Sequence, residues 1–451
     1  MTNAKNVAVG QQIKYSRIWQ IAYPIILGSI AQNLINFTDT AFLGRVGEIA
    51  LGAGALGGLF YLAVIMLGLG FSTGAQIIIA RRFGEGRLKS IGQIIDQSIY
   101  FLLPLALMAY LLLRFWSIDI LSFAVESKAI LGETINYMKY RSVGIFFAFG
   151  NMIFRAFYVG LHKTKVITYT TVVLAIVNIV LDYILIFGKF GAPEMGVSGA
   201  ALASVIAEFV ALLYFIGYTF INIKFSDYAL FKFCQPDMAR LYAILKVAVP
   251  IMMQQFISLS VWFIFFLFIE KLGEMALAVS NIVRSVYVVL MIPVWGFATA
   301  TNSLVSYLMG LKKQDQVMAL ILKIVILCFG GVLLFVGLSI LFPKVIMSVY
   351  TNDTELIAMG VPVLKVVSVG ALFLSIGFIL FNSISGTGKT NVSLVLELIV
   401  LSIYLSYTYI IINVFNVSVT LAWTSEIVYG LLLSVFSYAY LKTGKWKVSK
   451  L

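Results

Sequence analysis

The 451-residue chain is 61% hydrophobic and only 11% charged, with a mean hydropathy of +1.01. That composition excludes a water-soluble domain, which would lack the polar residues to cover its surface. Apolar runs of about 18 residues or more recur along nearly the whole length, without the short alternation of a β-barrel, so an all-α membrane protein is expected.

The formal net charge is +13. Its basic residues fall in short turns between apolar runs and form no long basic face, so no nucleic-acid partner is expected. Two cysteines, Cys234 and Cys328, supply neither a disulfide framework nor a zinc site. The single His162 falls in the loop Leu161-His162-Lys163-Thr164-Lys165 and is expected at the surface. The first sixteen or so residues are polar, and no small-residue cleavage site follows the first apolar run, which is expected to be a retained helix.

Twelve spans are expected. The first runs from about Ile18 to Leu43 and carries Pro24, Gln32, Asn33, Asn36 and Asp39. The second, from about Leu51 to Ala80, ends at Arg81-Arg82, and the third covers about Ser98 to Leu113. The fourth covers about Tyr140 to Leu161; the fifth, Val166 to Gly188, holds Asn178 and Asp182. The sixth, from about Gly196 to Ile223, holds Ser204 and Glu208. A polar connection with Pro236 in its middle follows, and the last six spans begin near Val247, Ala276, Ala319, Ile357, Val392 and Val417. The expected organisation is a six-helix bundle over 1–223, a cytoplasmic linker over 224–245 and a second six-helix bundle over 246–451.

Twelve spans put both termini on one side. Basic residues favour the loops on that side by roughly two to one, so the positive-inside rule places both termini in the cytoplasm of a multi-pass protein of the cytoplasmic (inner) membrane. The chain also repeats. Shifted by 226 positions, Pro24 falls on Pro250, Gly47 on Gly273, Gly70-Phe71 on Gly296-Phe297, Gly144 on Gly370 and Lys163-Thr164 on Lys389-Thr390. Six helices per repeat keep the same orientation, so the halves form a parallel repeat about an axis along the membrane normal, with a cavity expected between them.

The halves differ in charge: Asp39 falls on Phe265, and Asn178 and Asp182 fall on Tyr404 and Thr408. Unshared carboxylates inside a membrane are the better candidates for chemistry, because their insertion is costly. By helix rise, Asp39 lies roughly 8 Å and Asp182 roughly 9 Å inside the outer ends of their helices, and Ser204 roughly 12 Å. Spacing i, i+4 puts Asn178 with Asp182 on one face and Ser204 with Glu208 on another. These oxygens suit a hard cation such as Na⁺, and a close carboxylate pair equally suits a shared proton. Packing within the bundle is the competing account of each acid. Glu208, Asn36, Gln32, Glu397 and Glu426 are further candidates for a substrate or secondary proton site. Arg155 and Arg284 are expected to snorkel or pair, and Pro24 to kink the first helix. Ser385-Gly386-Thr387-Gly388-Lys389-Thr390 lacks the phosphate-loop spacing, so ATP binding is rejected.

Several stretches carry a family resemblance: Asn36-Phe37-Thr38-Asp39-Thr40-Ala41-Phe42-Leu43-Gly44 with Pro24, Asn178-Ile179-Val180-Leu181-Asp182, and Gly196-Val197-Ser198-Gly199-Ala200-Ala201-Leu202-Ala203-Ser204. With the six-plus-six repeat they resemble the multidrug and toxic compound extrusion (MATE) family over almost the whole chain. The resemblance implies a V-shaped pair of six-helix bundles that exports organic cations and other amphipathic compounds against inward H⁺ or Na⁺, with no other cofactor. It implies Asp39, Asn178 and Asp182 as the coupling site (the metal ligands if Na⁺ is the ion), with Ser204 supplying a hydroxyl where relatives often have Thr. It also implies a bend at Pro24 that follows protonation of the acid. The NorM-like branch has acids in its seventh and tenth helices. Here the seventh offers Gln254, Gln255 and Ser258, and the tenth has no acid beyond its start, so the cation site resembles the DinF-like branch. A monomer in a lipid bilayer, handling small amphipathic or cationic substrates, is expected. The alternative is a flippase for a lipid-linked oligosaccharide, which should carry a strongly basic cavity. An enzyme is not expected, since no clustered His, Cys or Asp constellation is visible.

Overall fold

The structure is a computed structural model, and it describes residues 13–123, 125–415 and 417–448. Residues 1–12 and 449–451, which belong to the expected N-terminal polar segment and to the two bundle ends, lie outside the described residues. The described chain is helical with short connections. In order it forms α1 (Tyr15–Val46), α2 (Glu48–Gly84), α3 (Lys89–Leu111), α4 (Lys128–Arg141), α5 (Gly144–Gly160), α6 (Lys165–Phe187) and α7 (Gly196–Asn222). The second half forms α8 (Met238–Glu270), α9 (Glu274–Gly310), α10 (Val317–Leu341), α11 (Thr354–Gly386), α12 (Thr390–Tyr409) and α13 (Ser425–Lys442). Single π-helical turns, Leu112–Trp116 and Ile410–Val414, extend α3 and α12. Among the described residues eleven helices are long and apolar enough to cross a membrane, and α4 with α5 makes a twelfth span bent by 52°. A backbone in hydrocarbon must satisfy its own hydrogen bonds, which is why so apolar a chain folds this way.

α3 and α8 begin earlier than expected, at Lys89 and at Met238, the latter inside the expected linker, and the expected boundaries fail most at the fourth span. Apolarity begins only near Tyr140, but the chain is already helical from Lys128, capped by the Ser127 hydroxyl, which accepts from the Ile130 N–H. α4 is too polar to read as membrane helix from its sequence; the bend at Ser142-Val143 then carries the chain into apolar α5. The last span changes too. A short helix, Val419–Ala422, turns through Trp423-Thr424 before α13 starts at Ser425, so Glu426 stands in the first turn of α13.

The chain divides into two compact units. One is Leu27–Phe256; the other joins Met1–Ile26, described from residue 13, to Ile257–Leu451. The division cuts α1 just after Pro24 and α8 just after Pro250, and both helices run unbroken through their prolines. Glycines set the packing within each unit. A Cβ on Gly70 would meet the Met252 backbone at 2.5 Å, and one on Gly74 the Ala248 backbone at 2.5 Å. Two glycines four apart on α2 thus admit the backbone of α8, as small residues do between membrane helices. The repeat-related Gly296 of α9 likewise lies against Ile26 of α1, where a Cβ would come within 2.5 Å of the side chain. In the second unit α11 is central, packed against α9, α10, α12 and α13.

This contact makes a prediction. Gly74→Val is expected to lower the thermal midpoint of the purified protein and its monodisperse yield, since overpacking costs about 1–3 kcal/mol and the obstructing atoms are backbone. Gly58→Ala, whose Cβ would find no atom within 4 Å, serves as the tolerated control in the same thermal melt.

Candidate functional site

A cavity of about 580 Å³ opens inside the Leu27–Phe256 unit. α1 lines it with Gln32, Asn36, Asp39 and Leu43, a stripe at helical spacing. α2 contributes Gly54, Gly58 and Tyr61, and α4 Tyr137 and Arg141. α5 adds Asn151, Met152 and Arg155, and α6 adds Thr170, Thr171 and Asn178. α7 faces it with Ala200, Ser204, Glu208, Ala211 and Phe215. The small residues of α2 and α7 leave the space; the polar stripes of α1 and α6 give it chemistry.

The sequence-predicted cluster does assemble. Asp182 is fully buried, and its carboxyl lies within hydrogen-bonding range of Asp39. Neither Asp182 oxygen finds a donor among the described residues, nor does Asp39 Oδ1. Two ionised carboxylates are acceptors only, so this contact is satisfied only when a proton or another cation lies between them. Asn178, one turn along α6, donates from Nδ2 to Ser204 Oγ at 3.4 Å and leaves its Oδ1 unpartnered. Asp39, Asn178, Asp182 and Ser204 therefore present oxygen atoms from three helices in one place. Gln32 and Asn36 share the wall on α1, whereas Pro24 is not among the cavity-lining residues.

Glu208, taken from the sequence as a candidate substrate or proton site, is instead neutralised. Arg141 holds it in a two-pronged ion pair, Nη2 to Oε1 at 2.6 Å and Nη1 to Oε2 at 2.9 Å. The Tyr61 hydroxyl donates to the same Oε2 at 3.5 Å, and the Arg141 guanidinium stacks over the Tyr61 ring at 3.7 Å. Gly144 makes the room, because a Cβ there would lie 2.5 Å from Arg141 Nη1 and 2.6 Å from Glu208 Oε2. Arg141 is the functional-site residue that sequence reasoning missed. The signal was present: an intramembrane acid needs a partner, and an arginine stood three residues before a repeated glycine. Arg155, expected to snorkel or pair, makes no ion pair among the described residues and lines the cavity. His162, expected at the surface, is buried with its ring edge-on to Phe83.

Glu397 and Glu426 stand in closed packing in the other unit. Glu397 accepts from Ser258 Oγ and the Tyr429 hydroxyl, both at 2.8 Å. Glu426 accepts from Tyr404 at 3.0 Å and Tyr287 at 3.3 Å. The repeat explains the contrast. Tyr287 corresponds to Tyr61, and each tyrosine reaches a glutamate. Where the first half has Asp39, Asn178 and Val197, however, the second has Phe265, Tyr404 and Trp423. Phe265 packs on Trp423 at 5.1 Å and on Tyr404 at 6.0 Å between centroids, so aromatic rings fill in the second unit what stays open in the first. Arg284, also expected to snorkel or pair, lies over the Phe266 ring.

The MatE family pattern matches residues 24–184 and 250–410, two segments separated by the same 226-residue offset and together more than two thirds of the chain. A probable multidrug resistance protein NorM of Thermotoga maritima is 25% identical over 95% of this chain and 92% of its own length. A protein of the same name from Synechocystis sp. is 24% identical over 86% and 85%. These relatives bear the NorM name, whereas the acids of the cation site suggested the DinF-like branch. Among solved structures, a MOP superfamily transporter from Pyrococcus furiosus matches with a TM-score of 0.87 at 20% identity, over 96% of this chain and 97% of that one. An outward-facing multidrug resistance MATE family transporter matches with a TM-score of 0.88 at 21% identity over the same shares. Fold and family are those of membrane transporters and not of enzymes, and this chain belongs to the MATE family.

Proposed function

We propose that the protein is an antiporter that exchanges an inward-moving H⁺ or Na⁺ for small amphipathic or cationic compounds by alternating access. The observation that carries it is the Asp39–Asp182 contact, made by two helices at a cavity wall with no donor for either Asp182 oxygen. A carboxyl pair so placed has one affinity for a cation in one conformation and another when the helices separate. Antiport follows when substrate favours the opposite state. Direct carboxyl–carboxyl approach favours H⁺ as the coupling ion, and a Na⁺ ion would draw on Asn178 and Ser204 as well. The coupling site then belongs to the bundle 1–223, in the DinF-like pattern, while the bundle 246–451 keeps Glu397 and Glu426 bonded to tyrosines. Pro24, fifteen residues before Asp39 on the same helix, is the natural place for α1 to bend. The names of the multidrug relatives agree with substrates of this class. The site's orientation follows the loop charges, with both termini cytoplasmic.

The test is efflux of a fluorescent cationic dye from proteoliposomes under a pH gradient or a Na⁺ gradient, each imposed alone. Export driven by the pH gradient is expected. Export that needs Na⁺ would reassign the pair to metal-ion coupling, and movement under neither gradient would overturn antiport in favour of a flippase.

A further inference from the structure

Arg155 stands about three helical turns along α5 from Gly144, on the cavity wall. Arg141, the other cavity arginine, is fully engaged by Glu208. Arg155 is half-buried and has no hydrogen bond or ion pair among the described residues. The nearest side chains bring no negative charge: Asn151, one turn before it, keeps only a neutral amide Oδ1 without a partner. Asn151 Nδ2 donates to the Glu208 carbonyl at 2.9 Å, and Thr170 and Thr171 donate to the carbonyls of Val166 and Ile167. An unpaired guanidinium within membrane-spanning helices is costly and marks a functional site by default. Its planar fork matches the oxygens of one class of partner.

From this we infer that Arg155 is an anion-binding subsite of the cavity, taking the carboxylate, sulfonate or phosphate of an amphipathic ligand. Met152, Ala211 and Phe215 supply apolar wall for the rest of such a molecule. The inference rests on the reading of this cavity as the substrate cavity and narrows its ligands. Because Arg141 and Glu208 cancel, Arg155 and the Asp39–Asp182 pair are the opposite charged poles of the site. A ligand with an acidic headgroup engages the first, and one that also carries an amine spans both. The charged group could belong to a soluble amphiphile or to a lipid headgroup, which the experiment separates.

The full-length protein is placed in nanodiscs of pure phosphatidylcholine. It is titrated with 1-anilinonaphthalene-8-sulfonate and with N-phenyl-1-naphthylamine, the same body without the sulfonate, empty nanodiscs being subtracted. Wild type is expected to prefer the sulfonate. Arg155→Gln is expected to weaken sulfonate binding about tenfold, the scale of one charge-assisted pair, and to leave the neutral probe unchanged. Arg155→Lys should restore most of the loss. Equal affinity of wild type for the two probes, an unchanged sulfonate affinity in Arg155→Gln, or a parallel loss of both probes would overturn the subsite. Adding phosphatidylglycerol to the nanodiscs separates the sources: competition at the Arg155-dependent site identifies a lipid headgroup, and no competition a soluble ligand. The readout needs no gradient, so failure of the antiport reading leaves this result interpretable.

Discussion

Asp182→Asn is expected to cut gradient-driven dye efflux by about 5–150-fold, the range of a coupling free energy of 1–3 kcal/mol, without unfolding the protein. Asparagine keeps the size of the side chain and brings its own amide donor toward Asp39, so the contact between α1 and α6 survives. What it removes is the second titratable carboxyl, and with it the requirement for a cation between the two. Asp182 is 0% exposed, so an uncharged replacement leaves no ion to be desolvated, and the thermal midpoint should stay level or rise. Asp39→Asn should behave alike in efflux, with a smaller thermal effect because Asp39 is only half-buried. Efflux is followed in proteoliposomes at matched protein content, and the midpoint by a fluorescence melt. Wild-type efflux from either variant would remove the pair from the coupling role.

Much of the architecture was legible in the chain itself, for a physical reason. Hydrocarbon forces every spanning segment to declare itself by length and apolarity, and a gene-scale repeat aligns its glycines and prolines. The 226-residue offset between Pro24 and Pro250 is the same offset that separates the two family segments. Helical spacing also sufficed to put Asn178 and Asp182 on one face of their helix, and Ser204 and Glu208 on one face of theirs. Three things were not legible. α4 is polar and carries charge, so no hydropathy window announces it, and Arg141 read as the first turn of the fourth span instead of the end of a separate helix. Its partnership with Glu208 depends on a bend after Arg141, a tertiary fact. The closed state of the second unit was hidden as well. Phe265, Tyr404 and Trp423 are unremarkable residues in an apolar sequence, and only the correspondence of the first two to the cavity-lining Asp39 and Asn178 shows that a vacated space is filled.

Glu208→Gln is the substitution with the least obvious and most informative expected result. Glu208 does not touch Asp39, yet it occupies both terminal nitrogens of Arg141, and Arg141 is close enough to Asp39 to interact with it electrostatically. Loss of the carboxylate leaves a guanidinium without its counterion at the cavity wall. Breaking such a pair from one side costs on the order of 3 kcal/mol where burial is nearly complete, and less here because the pair borders the cavity. The freed guanidinium has one acid to turn to, Asp39. Paired with it, Arg141 supplies a permanent positive charge where the coupling cation would bind, and the transporter should lose gradient dependence although both aspartates are intact. Arg141→Met strands Glu208 instead, and should destabilise the fold without filling the cation site. The double variant Arg141→Met/Glu208→Leu removes both charges and should recover most of the thermal midpoint. Midpoints of the two single variants and the double, measured beside efflux under a pH gradient, separate the outcomes. Independent, additive losses would show that the ion pair is merely local packing, and a Glu208→Gln protein that remains gradient-driven would show that Arg141 does not reach Asp39.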